Sequence, residues 1–274
     1  MMNIFVCPVC RKELVSNGKS FLCDAGHCFD ISKFGYVNLL MSSKSSAKRH
    51  GDDRLMVRAR RDFLDKGYYS FLCEKLCEIC KDILSNESTV LDAGCGECYY
   101  SSAVKKSLNA IGIEADIFGV DISKDALEFA CKRKSEILTA VGSVFTLPVA
   151  NETVDTVLNI FSPEAFDEYK RVLKKNGVLI RVIPLKSHLF ELKKAVYDNP
   201  YYNDELSVKI DGFTLEKEIE IKNEIFLNTN EDIINLFKMT PYYYKTSADD
   251  QKKLENIHSL LTQAEFGIRV YRKD

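Results

Sequence analysis

The sequence predicts an α/β protein built on a mostly parallel sheet, with a small module of different character at its N-terminus. Three observations carry this. The run Val90–Ala93 is β-branched and apolar, holds an acid at Asp92, and leads through a glycine-rich turn into helical spacing, as VLDAGCGECYY. Strand-like and helix-like stretches then alternate to the C-terminus, the pattern of strands joined by crossover helices. The first 30 residues lack that alternation and carry four of the ten cysteines.

With 274 residues the chain can bury one large domain, or one plus a small module. Hydrophobic residues at 46% and charged residues at 28% are ordinary for a globular protein. No apolar run nears the roughly 20 residues of a membrane helix, and no basic-then-apolar leader opens the chain, so the expectation is a cytoplasmic protein. In a reducing compartment, clustered cysteines point to metal or catalysis before disulfides. Charge is uneven: residues 1–66 hold twelve Lys+Arg against seven Asp+Glu, while the whole chain is at −2. A basic N-terminal part suits a polyanionic partner, and a solvated basic linker explains it equally well.

The N-terminal module is marked by CPVC and CDAGH, which are Cys7, Cys10, Cys23 and His27. Two pairs of ligands on two turns can present thiolates and an imidazole tetrahedrally to Zn²⁺, and Cys28 stands beside His27 as an alternative fourth ligand. Four protein ligands leave no open position, so the site reads as structural. So short a segment needs the metal to fold. We take residues 1–40 as this module and 41–60 as a basic linker and helix start, with 61–274 as the main domain. Helical spacing from Arg54 to Leu64 places Arg54, Arg58, Arg60 and Arg61 where they can hold phosphates, or simply form an exposed face.

Cys73, Cys77 and Cys80 have the spacing of an iron–sulfur motif. They interleave with Leu72, Leu76 and Ile79 at helical intervals, so they read as the apolar stripe of one helix.

In the central motif, Gly94 and Gly96 allow a sharp turn and close approach of a ligand. A dinucleotide fingerprint needs a third glycine where Tyr99 stands, which disfavours NAD and FAD. A second strand, 116–121, ends at Asp121, an acid placed to accept hydrogen bonds from ribose hydroxyls. This combination resembles the S-adenosylmethionine site of Rossmann-like methyltransferases, although many of those carry a glycine where this chain has Cys98. Further strands are expected at 137–141, 153–161, 177–183, 213–221 and 264–272, with helices at 97–109, 123–134, 163–174, 187–197, 230–238 and 247–262. The order matches a Rossmann-like seven-stranded methyltransferase sheet whose last strand inserts antiparallel.

The zinc motif, FGYVNLL, GDD, RARRDFLDKGYY and VLDAGCGECYY occur in an order that resembles the RlmA group of bacterial 23S ribosomal RNA guanine-N1 methyltransferases. The resemblance implies S-adenosylmethionine and structural zinc as cofactors, 23S ribosomal RNA as substrate, and a homodimer. It assigns Cys7, Cys10, Cys23 and His27 to zinc. Tyr69, the turn residues Gly96, Glu97, Cys98, Tyr99 and Tyr100, and His188 are assigned to S-adenosylmethionine, with Asp92 and Gly94 in the same motif and Asp121 on the ribose. KKNG at residues 174–177 replaces the group's Pro-Gly-Gly.

NIFSP, Asn159 to Pro163, ends the fourth strand of the main domain, where enzymes acting on exocyclic amines usually carry Asp/Asn-Pro-Pro-Tyr/Phe. Its absence agrees with a ring nitrogen as acceptor. Asn159 and Ser162 are candidate base contacts, with ordinary strand-end hydrogen bonding as the bland alternative. Tyr242 to Tyr244 are candidates to stack on an extruded base, or are core. A small-molecule methyltransferase with a structural zinc module is the alternative reading. A non-enzymatic RNA-binding protein with a decayed cofactor site is a third, weakened by the intact Asp92, Gly94, Gly96 and Asp121.

Overall fold

The computed structural model describes residues 3–41 and 51–274. Part of the expected linker, residues 42–50, lies outside the described residues. Four short strands open the chain: β1 (Val15–Ser16), β2 (Ser20–Leu22), β3 (Cys28–Asp30) and β4 (Val37–Asn38). Then follow α1 (Arg54–Asp65), α2 (Ser70–Ile83), β5 (Thr89–Ala93), α3 (Tyr99–Asn109), β6 (Asp116–Asp121), α4 (Lys124–Lys132) and β7 (Leu138–Val141). The second half runs β8 (Val154–Ile160), α5 (Phe166–Val172), β9 (Leu173–Pro184), α6 (Phe190–Val196), β10 (Phe213–Leu227), α7 (Asn230–Lys238), α8 (Tyr242–Lys245), α9 (Ala248–Lys252) and β11 (Leu260–Lys273). Among the described residues no helix is long and apolar enough to cross a membrane.

The main sheet has the order β10-β11-β9-β8-β5-β6-β7-β4. Strands β4 to β9 pair in parallel, and β11 runs antiparallel between β9 and β10 as expected. Strand β5 is buried from Val90 to Ala93 without alternation, because helices or the N-terminal module cover both faces of the sheet.

The count of seven strands needs correction. The eighth is β4, which comes from the N-terminal module and pairs with β7 through Val37–Ala140 and Asn38–Val141. No helix joins β7 to β8 in this structure. Instead Ile4, Phe5, Leu14, Phe21 and Leu39 of the module share one core with Leu91, Phe118, Val120 and Val157 of the sheet. Phe5 meets Phe118 edge to face at 5.7 Å. The module takes the place of a crossover helix, so it is joined to the main domain by a strand and a core.

The helical spacing from Arg54 to Leu64 corresponds to α1, which begins at a side-chain cap by Asp53 and packs on the main domain through Arg54–Glu128 and Arg60–Met239 hydrogen bonds, with Lys66 just after it bonded to Asp232. One other expectation shifts. The helix expected over 247–262 stops early: α9 passes into a 3₁₀ turn at Lys253–Asn256, and β11 has started by Leu260. The apolar spacing of Leu254, Ile257, Leu260 and Leu261 imitates a helix. Strand β10, however, continues to Leu227 and takes Leu260 as its register partner. The cysteine stripe is confirmed as core, with Cys73 and Cys80 buried along α2.

Candidate functional site

The candidate zinc ligands come from two tight turns. Arg11 N–H bonds to Cys7 C=O at 2.8 Å, and Gly26 N–H to Cys23 C=O at 2.8 Å with Gly26 at φ +83°. The donor atoms of Cys7, Cys10, Cys23 and His27 all lie within 4.8 Å of one another. Cys7 Sγ and Cys23 Sγ lie 3.5 and 3.3 Å from His27 Nδ1, and Cys10 Sγ lies 3.6 Å from Cys23 Sγ. A tetrahedron with Zn–S near 2.3 Å and Zn–N near 2.0 Å has edges of about that length, so the four donors fit Zn²⁺. Cys28 is exposed on β3 and lies outside this group of four.

The larger site is a cavity of about 600 Å³ at the carboxyl ends of β5, β6, β8 and β9. Strand order reverses there between β5 and β8, which is where open α/β sheets bind ligands. Nine of the ten expected cofactor residues line it: Tyr69, Asp92, Gly94, Gly96, Glu97, Tyr99, Tyr100, Asp121 and His188. The tenth, Cys98, is buried just behind at the start of α3, with its backbone at φ +58°. That left-handed conformation is the physical reason a glycine suits the position.

Local hydrogen bonds set the site's shape. Asp121 accepts the N–H of Gly96 on Oδ2 and of Ser123 on Oδ1, each at 2.8 Å. Its carboxylate is thereby aimed at the glycine turn. Burial raises its pKa and that of Asp92, which is pushed up to about 7. A Cβ on Gly94 would lie 2.4 Å from Ser162 Cβ, whereas one on Gly96 would meet only Arg60 Nη1 at 3.9 Å and project into the cavity. Gly94 is required by packing and Gly96 keeps the cradle open. His188 Nδ1 accepts the Glu265 N–H at 3.1 Å, and its Nε2 faces the Tyr69 hydroxyl at 3.5 Å.

Two relatives bring this geometry to a family. A family model described as the RlmA N-terminal zinc ribbon matches residues 5–47, and one described as a methyltransferase domain matches residues 84–265. A Bacillus subtilis (strain 168) protein, provisionally named 23S rRNA (guanine-N(1)-)-methyltransferase YxjB, is 30% identical over 94% of this chain and 93% of its own. The chain belongs to the RlmA group of 23S rRNA (guanine-N1) methyltransferases. The 23S rRNA (guanine(748)-N(1))-methyltransferase of Streptomyces fradiae is 32% identical over 69% of this chain and 66% of its own. This RlmA-group member is thus an S-adenosylmethionine-dependent methyltransferase with a zinc ribbon.

The open cradle at Gly96 and the aimed carboxylate of Asp121 fit S-adenosylmethionine. Glu97 is less free: its carboxylate is paired with Arg133 at 2.8 Å and lies near Arg61. Asn159 and Ser162 line the cavity but are already bonded within the chain. Asn159 Nδ2 donates to Ser162 Oγ at 2.6 Å and Tyr169 Oη at 3.0 Å, and Ser162 Oγ donates to Ala93 C=O at 2.6 Å.

The arginines of α1 divide. Arg54 is bonded to Glu128, Arg60 to Asp52 and to Met239 C=O at 3.1 Å, and Arg61 to Asp65 and Glu97. Arg58 is the most exposed of the four, paired along its own helix with Asp62, and Arg54 is exposed as well. Arg60 lines the cavity and ties together α1, the loop at Asp52 and the segment after α7. Spacing alone gave no sign of that role. Leu206 and the segment Met239–Pro241 also line the cavity, and no motif marks them, whereas Tyr242 beside them was a sequence candidate. Buried Arg181 and Arg269 hold the stretch around Leu206 by donating to the carbonyls of Leu206 and Ser207.

Proposed function

We propose that this chain transfers the methyl group of S-adenosylmethionine to N1 of a guanine in 23S ribosomal RNA. The observation that carries the reading is the bond of Asp121 Oδ2 to the Gly96 N–H at the mouth of a sheet whose edge is completed by the zinc module. Cofactor turn and candidate RNA-binding module are thereby parts of one framework. The relatives named as 23S rRNA guanine-N1 methyltransferases supply the substrate class.

In this reading the cofactor supplies an electrophilic methyl group, and the chain supplies position. Asp121 would accept the ribose hydroxyls, Gly94, Gly96 and the turn to Tyr100 would let the cofactor approach backbone, and Tyr69 and His188 would meet it from the wall of the same cavity. Holding the nucleophile and methyl within roughly 3–3.5 Å in line accounts for most of the barrier reduction in such a displacement. Guanine N1 carries a proton and lies on the pairing edge, so the base must leave its stack and the proton must be accepted. Asn159 and Ser162 hold the end of β8 rigid rather than offering free donors. The zinc module, residues 1–40, and Arg58 grip the RNA, while residues 61–274 hold the cofactor. The protein works in the cytoplasm, as a homodimer.

The test is transfer of labelled methyl from S-adenosylmethionine to protein-free 23S ribosomal RNA, with stops mapped by primer extension. One new stop at a guanine supports the reading. Cofactor binding without incorporation overturns the substrate.

A further inference from the structure

One aromatic ring in the cavity has no part in the chemistry above. Phe161 follows β8, lines the cavity and is 44% exposed, while Tyr69 and Phe266 near it are buried. Its φ is +53°, a conformation seldom adopted by an aromatic residue and one that persists only where the surroundings enforce it. Here they do. Phe161 N–H donates to Val182 C=O at 3.2 Å, and the next residue, Ser162, is fixed to Ala93 and Asn159. The strained backbone turns the ring outward at the point where Ser162 packs on the glycine of the cofactor turn. Phe266 and Tyr100 support the ring, with centroids at 5.2 and 6.3 Å. The other large hydrophobic side chains that are both exposed and on this cavity, among the described residues, are Phe145 and Leu206.

The tyrosine cluster is less available for stacking. Tyr242 bonds to Asn203 through its hydroxyl and carries the Lys193 ammonium over its ring, Tyr243 packs on Phe237, and Tyr244 bonds to Asp53.

We propose that Phe161 is the platform on which the target base stacks after leaving the RNA, with Phe145 and Leu206 completing an apolar mouth. The inference rests on the reading that the acceptor is a guanine in RNA. An extruded base loses its stacking partners, and an exposed ring next to Ser162, which packs on Gly94 of the cofactor turn, replaces them. Phe161 is a positioning group and moves no proton.

Three variants test this. Phe161→Leu keeps apolar bulk without a stacking face, Phe161→Gly removes the ring and the strain together, and Phe161→Tyr keeps the face. We expect Leu and Gly to lower kcat/KM on protein-free 23S ribosomal RNA roughly 10- to 100-fold, and Tyr to stay within a few-fold of the parent. S-adenosylmethionine affinity by calorimetry should be unchanged in all three. Full activity of the Leu variant overturns the proposal. So does a loss of cofactor affinity in step with activity, which would place the ring against the cofactor. If the parent itself does not modify 23S ribosomal RNA, the substrate reading has failed, and a second measurement decides for the ring. Protein labelled with 4-fluorophenylalanine and saturated with S-adenosylhomocysteine is titrated with guanosine monophosphate, the Phe161 resonance being assigned by its loss in Phe161→Leu. A saturable shift of that resonance supports stacking, and its absence overturns it.

Discussion

The imidazole of His188 accepts the backbone N–H of Glu265 on Nδ1 at 3.1 Å, which fixes the ring as a neutral tautomer with its proton on Nε2. That proton faces the Tyr69 hydroxyl and the cavity, so His188 enters the site as a hydrogen-bond donor without charge. Burial, reinforced by the Lys193 ammonium, lowers its pKa to about 3.

A pH dependence follows. Between about pH 3 and pH 6.5 the unfolded chain binds a proton at His188 that the folded chain refuses, so this group makes stability fall as pH drops below 6.5. On moving from pH 7 to pH 5 the parent should lose about 2 kcal/mol more than His188→Gln, measured by urea unfolding. Equal losses would show that the ring titrates normally.

The glycine turn admits no side chain at Gly94. Gly94→Ala places a Cβ 2.4 Å from that of Ser162 at φ +84°, so the turn must open. We expect a loss of about 2–4 kcal/mol in stability and S-adenosylmethionine binding weakened by at least tenfold in calorimetry. Adding Ser162→Gly should recover part of the stability, because it removes the atom struck.

Zinc content separates the two candidate fourth ligands. Purified parent protein and Cys28→Ser should each hold about one zinc per chain, and His27→Ala should lose most of it, as read by elemental analysis. Loss of zinc from Cys28→Ser would contradict the assignment.

The module is held to the sheet partly by Arg11, whose guanidinium donates to Leu147 C=O at 3.0 Å and Val149 C=O at 3.1 Å. Arg171 donates to the same two carbonyls, so Arg11→Ala leaves neither unpaired. The single change should cost about 1 kcal/mol in thermal unfolding, and the double change with Arg171→Ala more than the sum of the singles.

Much of this was legible because it depends on local chemistry. Asp92, Gly94, Gly96 and Asp121 announce themselves through strand ends and a turn that admits no Cβ at Gly94, and the candidate zinc ligands through paired spacing. What stayed hidden depends on contacts distant in sequence. Nothing in Val37–Asn38 says that it will extend the main sheet, because a two-residue strand has no period of its own. Arg60 looked like its neighbours Arg58 and Arg61, and only its partners Asp52 and Met239 make it part of the cavity. Leu260 looked helical until β10 offered it a partner.

The central claim, methyl transfer to guanine N1, is tested most directly by digesting modified 23S ribosomal RNA to nucleosides and identifying the labelled product by chromatography and mass. The account predicts 1-methylguanosine. Label in N2-methylguanosine or in a methylated adenosine would contradict it.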